Sequence, residues 1–210
     1  MNNKKLFTSA ILGAAILTLF ATGCSNQNNS KVSAQAQDSS IQQAAKITEL
    51  EEKYQKLEDM EQIRQLKARY FRFTDEKKWK ELGELFTSDA KIVADGQDFT
   101  KLGGPGFAKM IGDLVGDKAP TTHHGHMPEI EMIDKNNAKA VWAMEDMLTF
   151  PEGKNSPPGH RGYGQYHETY RKENGVWKIS SMKLTRFRMD PLPNWKPNTD
   201  PVTGQPLTGK

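Results

Sequence analysis

The chain has 210 residues, with 29 Lys and Arg, 26 Asp and Glu, and a formal net charge of +3. This near-balance, without a marked cluster of basic residues, gives no indication of a nucleic acid partner. The length suits one domain with tails, and the single Cys excludes an intrachain disulfide, so the folded part needs a real hydrophobic core.

The N-terminus is typical of a secretory signal. Two Lys precede the apolar segment 6–20, and three small residues stand directly before Cys24. The apolar segment is too short to span a bilayer comfortably. The small residues before the Cys resemble the lipobox of bacterial lipoproteins. They predict a signal peptide over 1–23 and a lipidated Cys24.

Lipidation would also explain a lone Cys in a secreted protein. The chain would then be anchored through Cys24 to a membrane of the cell envelope. Ser25 follows the Cys, and by the usual Gram-negative sorting rule it favours the periplasmic face of the outer membrane. The alternative is an ordinary signal peptide followed by an incidental Cys.

Residues 24–45 are rich in Asn, Gln, Ser and Ala, which predicts a flexible tether. Apolar residues then recur at helical spacing among Glu and Lys, which predicts an amphipathic helix. They are Ile47, Leu50, Tyr54 and Leu57. This narrow apolar stripe either pairs with a second copy of the chain, giving a homo-oligomer, or lies on the domain.

Two further helices are predicted next. Asp59 with Gln62 has the spacing of a capping box, which predicts a new helix start. The pair Thr74-Asp75 precedes another helical pattern that includes Trp79 and is typical of an N-cap.

Beyond Ser88 the pattern favours strands. A short strand over 90–94 ends at the turn Asp95-Gly96, and the glycine-rich segment 103–106 opens a small helix. Four long strands are predicted over 121–134, 138–150, 163–172 and 176–189.

The order of these elements predicts an α+β fold over 46–190. Asn174-Gly175 between two alternating segments indicates a hairpin, and a Pro- and Gly-rich loop is expected over 151–161. Helices first and strands last favour helices packed on one face of a curved antiparallel sheet. The Pro-rich tail over 191–210 is predicted to be extended.

Two charged residues share strand faces with apolar residues. Alternation places Asp146 on the face of Trp142 and Met144, and Arg186 on the face of Leu184. Burial of an unpaired charge is unfavourable, so each predicts either a structural ion pair or a functional group.

Three of the five His lie within 123–126. In a strand His124 and His126 point one way and His123 the other. The pair at i and i+2 could hold a metal with His167 or a carboxylate as third ligand. A single His opposite a carboxylate suits general acid–base work better.

Tyr70 and Asp75 form the last candidate pair. They converge only if the helix ends near Phe73, because five residues on an unbroken helix are about 140° apart. The alternative for Asp75 is an N-cap, and spacing alone favours that alternative.

Motifs in the order of the chain resemble the SnoaL-like branch of the nuclear transport factor 2-like superfamily, over about 57–191. Within that branch the chain resembles the bile acid 7α-dehydratases. The motifs are Leu66–Arg72 with Asp75 and Trp79, His123–Ile130, Trp142–Asp146, Gly164–Tyr170, and Trp177 with Arg186.

The resemblance implies a cone-shaped α+β barrel with a pocket of Tyr70, Asp75, His123, Asp146 and Arg186. It further implies a cofactor-independent and metal-independent lyase that dehydrates a hydroxylated, steroid-like or polyketide-like hydrophobic molecule. His123 would move a proton and Asp146 would orient its imidazole. Tyr70 would donate to the leaving hydroxyl, Asp75 would position Tyr70 or the substrate, and Arg186 would hold a carboxyl or oxyanion.

Two other classes of function stay open from the sequence. One is a non-catalytic lipoprotein that binds a hydrophobic small molecule in the same cone. The other is an isomerase of the ketosteroid type, which uses an acid–base pair without a leaving group. The signal peptide, the 151–161 loop and the tail depart from the bile acid enzymes, so the resemblance does not carry bile acids over as the substrate.

Overall fold

A computed structural model describes residues 27–117, 119–149 and 159–192. The predicted signal peptide, Cys24 and the tail beyond residue 192 lie outside this described part. Within these described residues, the chain divides into two units between Thr48 and Glu49. Within the described residues, no helix combines the length and apolarity that crossing a membrane requires.

The helices and strands follow one another as an α+β fold. In chain order they are α1 (Gln27–Asp75), α2 (Trp79–Glu84), β1 (Phe86–Ala94), β2 (Gln97–Asp98), a 3-10 turn (Thr100–Leu102), α3 (Gly103–Val115), β3 (Thr121–Met132), β4 (Asn137–Thr149), β5 (Gly159–Glu173) and β6 (Val176–Pro191). The four long predicted strands are β3 to β6, and β5 begins inside the predicted 151–161 loop.

The strands form one curved sheet in the order β2-β1-β6-β5-β4-β3. Strands β3 to β6 are an antiparallel meander, as the sequence predicts. The β5–β6 turn has φ values of 52° at Asn174 and 81° at Gly175, which the predicted Asn-Gly hairpin requires. The sheet departs from the prediction at one pair, because β1 runs parallel to β6.

The early part of α1 differs from the prediction. Residues 27–45, predicted as a flexible tether, are helical. The Gln and Ala that are frequent there also have favourable helix propensities, so composition does not distinguish a flexible tether from a helix. Leu50, Tyr54 and Leu57 are each more than half exposed, so the apolar stripe is not buried within its unit. Pairing of this stripe with a second copy stays a prediction.

The capping-box interpretation of Asp59 is wrong, because α1 passes through this residue without a break. The Asp59 carboxylate is buried and accepts hydrogen bonds from Lys172 Nζ at 2.5 Å and Trp177 Nε1 at 3.0 Å. Partners on β5 and β6 therefore satisfy the group that the local spacing assigned to a helix end.

The core lies between the C-terminal part of α1, helix α3 and one face of the sheet. Ile63, Leu66, Phe107 and Ile179 are each at most 2% exposed there. These are the apolar positions that recur at helical spacing in α1 and α3 and at alternate positions in β6, so the packing follows the sequence pattern.

A buried ion pair also holds α1 to β5. Lys67 Nζ lies 2.6 Å from Glu168 Oε1, and both side chains are inaccessible to solvent. The hydroxyl of Tyr170 donates to the other oxygen of Glu168 and accepts from Trp142 Nε1 at 2.8 Å. Burial lowers the pKa of Lys67 to about 8, against the opposing effect of the Glu168 charge.

Candidate active site

A cavity of about 500 Å³ lies among the end of α1, helix α3 and the sheet. Most of its wall is apolar, with residues such as Phe107, Met110, Ile111 and Leu184. Six titratable side chains line it: Tyr70, Asp95, His123, His160, Tyr166 and Arg186. An apolar cavity with a few convergent polar groups is the usual form of a small-molecule site.

Asp75 and His123 form a hydrogen-bonded dyad at this cavity. Helix α1 ends at Asp75, and the chain then turns through Lys77 at a φ of 60°. The Asp75 carboxylate accepts from the His123 backbone N–H at 3.0 Å and lies 2.6 Å from Nδ1 of the same residue. Thr121 Oγ1 donates a third bond at 2.9 Å.

The dyad fixes the histidine tautomer. A carboxylate can only accept, so Nδ1 of His123 carries the proton that is shared with Asp75. In a neutral imidazole Nε2 is then the acceptor nitrogen. The His123 side chain is 7% exposed and lines the cavity, while that of Asp75 is 27% exposed behind it. The N-cap interpretation of Asp75 is wrong, since no side chain caps α2.

The predicted dyad of His123 with Asp146 does not form. The two residues are direct neighbours across the β3–β4 ladder, but Oδ2 of Asp146 accepts from Arg186 Nη2 and Oδ1 has no hydrogen-bond partner. The physical reason is that the buried carboxylate of Asp146 forms an ion pair with the permanently charged Arg186. Asp75, at the end of α1, provides the carboxylate that contacts His123 instead.

Asp146 and Arg186 therefore form the ion pair that strand alternation allowed. Asp146 is fully buried, and the Arg186 side chain is 13% exposed. A second carboxylate, Asp95 in the β1–β2 turn, accepts from Arg186 Nη1. Burial lowers the pKa of Arg186, but Asp146 and Asp95 outweigh that effect and the pKa lies above its ordinary value.

Gly162 of β5 makes room for this pair. A Cβ placed there would lie 2.3 Å from Asp146 Oδ1 and 2.8 Å from Arg186 Nε. Both distances are too short for nonbonded contact, so the position accepts only a residue without a side chain unless the ion pair moves.

Tyr70 is buried at the cavity wall beside Tyr166 of β5. Their ring centroids lie 5.9 Å apart at an interplanar angle of 73°. Lys67 Nζ lies 4.1 Å from the Tyr70 ring centroid and 3.5 Å from that of Tyr166. Burial raises the pKa of both phenols, so both are neutral hydrogen-bond donors at neutral pH.

The sequence analysis missed Asp95, His160 and Tyr166. Tyr166 lies within the predicted strand over 163–172, so strand parity could have placed it on the cavity face, whereas His160 lies in the segment predicted as a loop, where parity does not apply. Asp95 was interpreted only as part of the Asp95-Gly96 turn, and that local pattern gives no indication of its contact with Arg186. Burial lowers the pKa of His160, which favours its neutral form.

The other histidines of β3 lie away from the cavity. His124 and His126 are exposed, which agrees with the predicted separation of His123 from its neighbours. Across residues 27–117, 119–149 and 159–192, no group of three or more His, Asp or Glu side chains is arranged to hold a metal ion.

Comparison with known proteins identifies the fold and the family. The family model described as SnoaL-like domain matches residues 55–183. Three solved structures are similar at identities that indicate a shared fold. One is named as a scytalone dehydratase from Novosphingobium aromaticivorans, at 21% identity, a TM-score of 0.57, and coverage of 74% of this chain and 97% of its own.

The second is a hexachlorocyclohexane dehydrochlorinase from Novosphingobium barchaimii, at 17% identity and a TM-score of 0.57, covering 67% of this chain and 94% of its own. The third is a nuclear transport factor 2-like protein with a cystatin-like fold from Novosphingobium aromaticivorans. It has 20% identity and a TM-score of 0.51, with coverage of 67% and 89%.

Proposed function

Because the chain belongs to the SnoaL-like domain family, we propose that it is a lyase that removes water from a hydroxylated hydrophobic molecule. The observation that carries the proposal is the Asp75–His123 dyad on the wall of an apolar cavity. Two proteins of the same fold are named for eliminations, one of water and one of hydrogen chloride, which supports this reaction type. The closer resemblance to bile acid 7α-dehydratases stays a prediction.

The dyad would supply the base. Nε2 of His123 takes a proton from the carbon next to the carbon that bears the hydroxyl. The C–H electrons form the new C=C bond as the C–O bond breaks. Asp75 stabilises the resulting imidazolium through Nδ1–H, as a carboxylate does behind a catalytic His. The imidazolium then protonates the departing hydroxide, which leaves as water and restores neutral His123.

Tyr70 would assist the departure of the hydroxyl. It stays protonated because burial raises its pKa, so it acts as a hydrogen-bond donor and not as a base. Its proton is therefore available to an oxygen of the substrate. In the cavity that oxygen is the leaving hydroxyl or the oxygen of a developing enolate. Every proton in this scheme is held by the chain or the substrate, so no cofactor is needed.

The test is turnover by the full chain with β-hydroxyketones of one to four fused rings, followed by mass spectrometry of the products. We expect a product lighter by one water, and its loss in His123→Ala. The matched control is His124→Ala, which removes the exposed neighbouring imidazole and should leave turnover unchanged. A product of unchanged mass would make the protein an isomerase, and tight binding without any product would make it a binding lipoprotein. Either result would overturn the dehydratase.

We also propose that the domain is anchored to a cell-envelope membrane through a lipid on Cys24. The support is the arrangement of two Lys, the apolar segment 6–20 and small residues before the single Cys. Cys24→Ala should release the protein from the membrane fraction. An intact mass of membrane-extracted protein that shows an unmodified Cys24 would refute the anchor.

A further inference from the structure

The positive charge in the cavity wall is already neutralised by two carboxylates. Arg186 donates through Nη2 to Asp146 and through Nη1 to Asp95. Asp146 is fully buried, whereas 43% of the Asp95 side chain is exposed and that residue also lines the cavity. The family resemblance implies that Arg186 holds a carboxyl or oxyanion, a role for which its charge would have to be available.

No other side chain of the cavity wall that the structure describes provides a free positive charge that could bind a substrate carboxylate or oxyanion. No Lys is among the described residues that line the cavity. Burial favours the neutral form of His160, and His123 is paired with the carboxylate of Asp75. Arg186, Asp146 and Asp95 together carry one net negative charge, so this end of the cavity is electronegative.

We infer that Asp95 makes the cavity select an uncharged oxygen group of the substrate over a carboxylate. A ligand carboxylate that approached Arg186 would face Asp95 and Asp146 at short range, or would have to displace Asp95 from Nη1. Like charges this close disfavour binding even with partial solvent screening. A hydroxyl or ketone oxygen can accept from Arg186 without either penalty.

This inference deepens the proposed function, because it assigns a substrate class to the same cavity: hydrophobic alcohols and ketones rather than acids. It depends on ligand binding and not on turnover. A failure of the dehydratase reaction and a failure of charge selection are therefore separate results.

The experiment compares two fluorescent probes of the same ring size, uncharged 2-naphthol and anionic 2-naphthoate, by titration at pH 7 with the full chain. The variant is Asp95→Asn. Asp95 has a φ of 50°, a conformation that Asn tolerates, so the fold should be retained. The matched control is Asp98→Asn, which removes the same charge from an exposed position in β2 that does not line the cavity.

We expect wild type to bind 2-naphthol at least about tenfold more tightly than 2-naphthoate. Asp95→Asn should tighten 2-naphthoate binding by about tenfold, with about twofold change or less for 2-naphthol. The Asp98→Asn control should keep the wild-type ratio. Equal binding of the two probes by wild type, binding of neither, or an unchanged ratio in Asp95→Asn with a normal thermal melt would overturn the inference.

Discussion

Replacement of Asp75 by Asn tests the dyad most directly. The amide has nearly the same shape and still offers one oxygen to the backbone N–H of His123, at 3.0 Å in the structure. It removes the negative charge that lies 2.6 Å from Nδ1 of His123. It can also present its NH2 group to that nitrogen and favour the wrong tautomer.

The size of the effect follows from the charge that His123 gains during the reaction. For unit charges about 4 Å apart at an effective dielectric constant of about 20, Coulomb's law gives about 4 kcal/mol. Partial exposure of Asp75, 27% of its side chain, reduces this value. A loss of about 2–4 kcal/mol of transition-state stabilisation corresponds to a fall in kcat of about 30- to 1,000-fold.

The assay is kcat for product formation, with circular dichroism melts as the control for folding. Asp146→Asn is the discriminating comparison, because the family resemblance implies that Asp146 serves His123, whereas the structure pairs it with Arg186. We expect Asp75→Asn to lower kcat at nearly unchanged Tm. We expect Asp146→Asn to lower Tm, with a smaller fall in kcat than Asp75→Asn shows. The opposite pattern, or a kcat within threefold of wild type in Asp75→Asn, would refute the assignment of the base's partner.

Three further variants test the surrounding structure. Glu168→Gln should leave Lys67 buried without its charged partner and lower the free energy of unfolding, measured by urea titration, by about 3 kcal/mol. The control Glu131→Gln, at an exposed position, should change the free energy of unfolding little, and equal effects of the two variants would contradict the argument. Tyr70→Phe should lower kcat more than it raises KM, since its hydroxyl acts on the leaving group; a pure KM effect would assign it to binding. Gly162→Ala should lower Tm because its Cβ would meet Asp146 Oδ1 at 2.3 Å, and an unchanged Tm would show that the ion pair is free to move.

Local sequence patterns predicted the α+β fold class and the antiparallel strands β3 to β6. The hairpin at Asn174-Gly175 was predictable because both residues must adopt positive φ, which these residue types tolerate. The same kind of signal failed at Asp59, where the spacing of a capping box lies inside α1. A cap is a local hydrogen bond, and Lys172 and Trp177 provide that carboxylate with tertiary partners instead.

Within the candidate site, the sequence by itself determined which strand face His123, Asp146 and Arg186 occupy. Alternation in β4 and β6 is a property of the extended backbone, so the pairing of Asp146 with Arg186 was open to prediction. The partner of His123 was not, because Asp75 lies 48 residues earlier on a helix. Its approach depends on where α1 ends against β3, and packing of the core sets that position. The tertiary structure alone therefore decided which carboxylate serves the histidine, and that Asp95 from a turn neutralises Arg186.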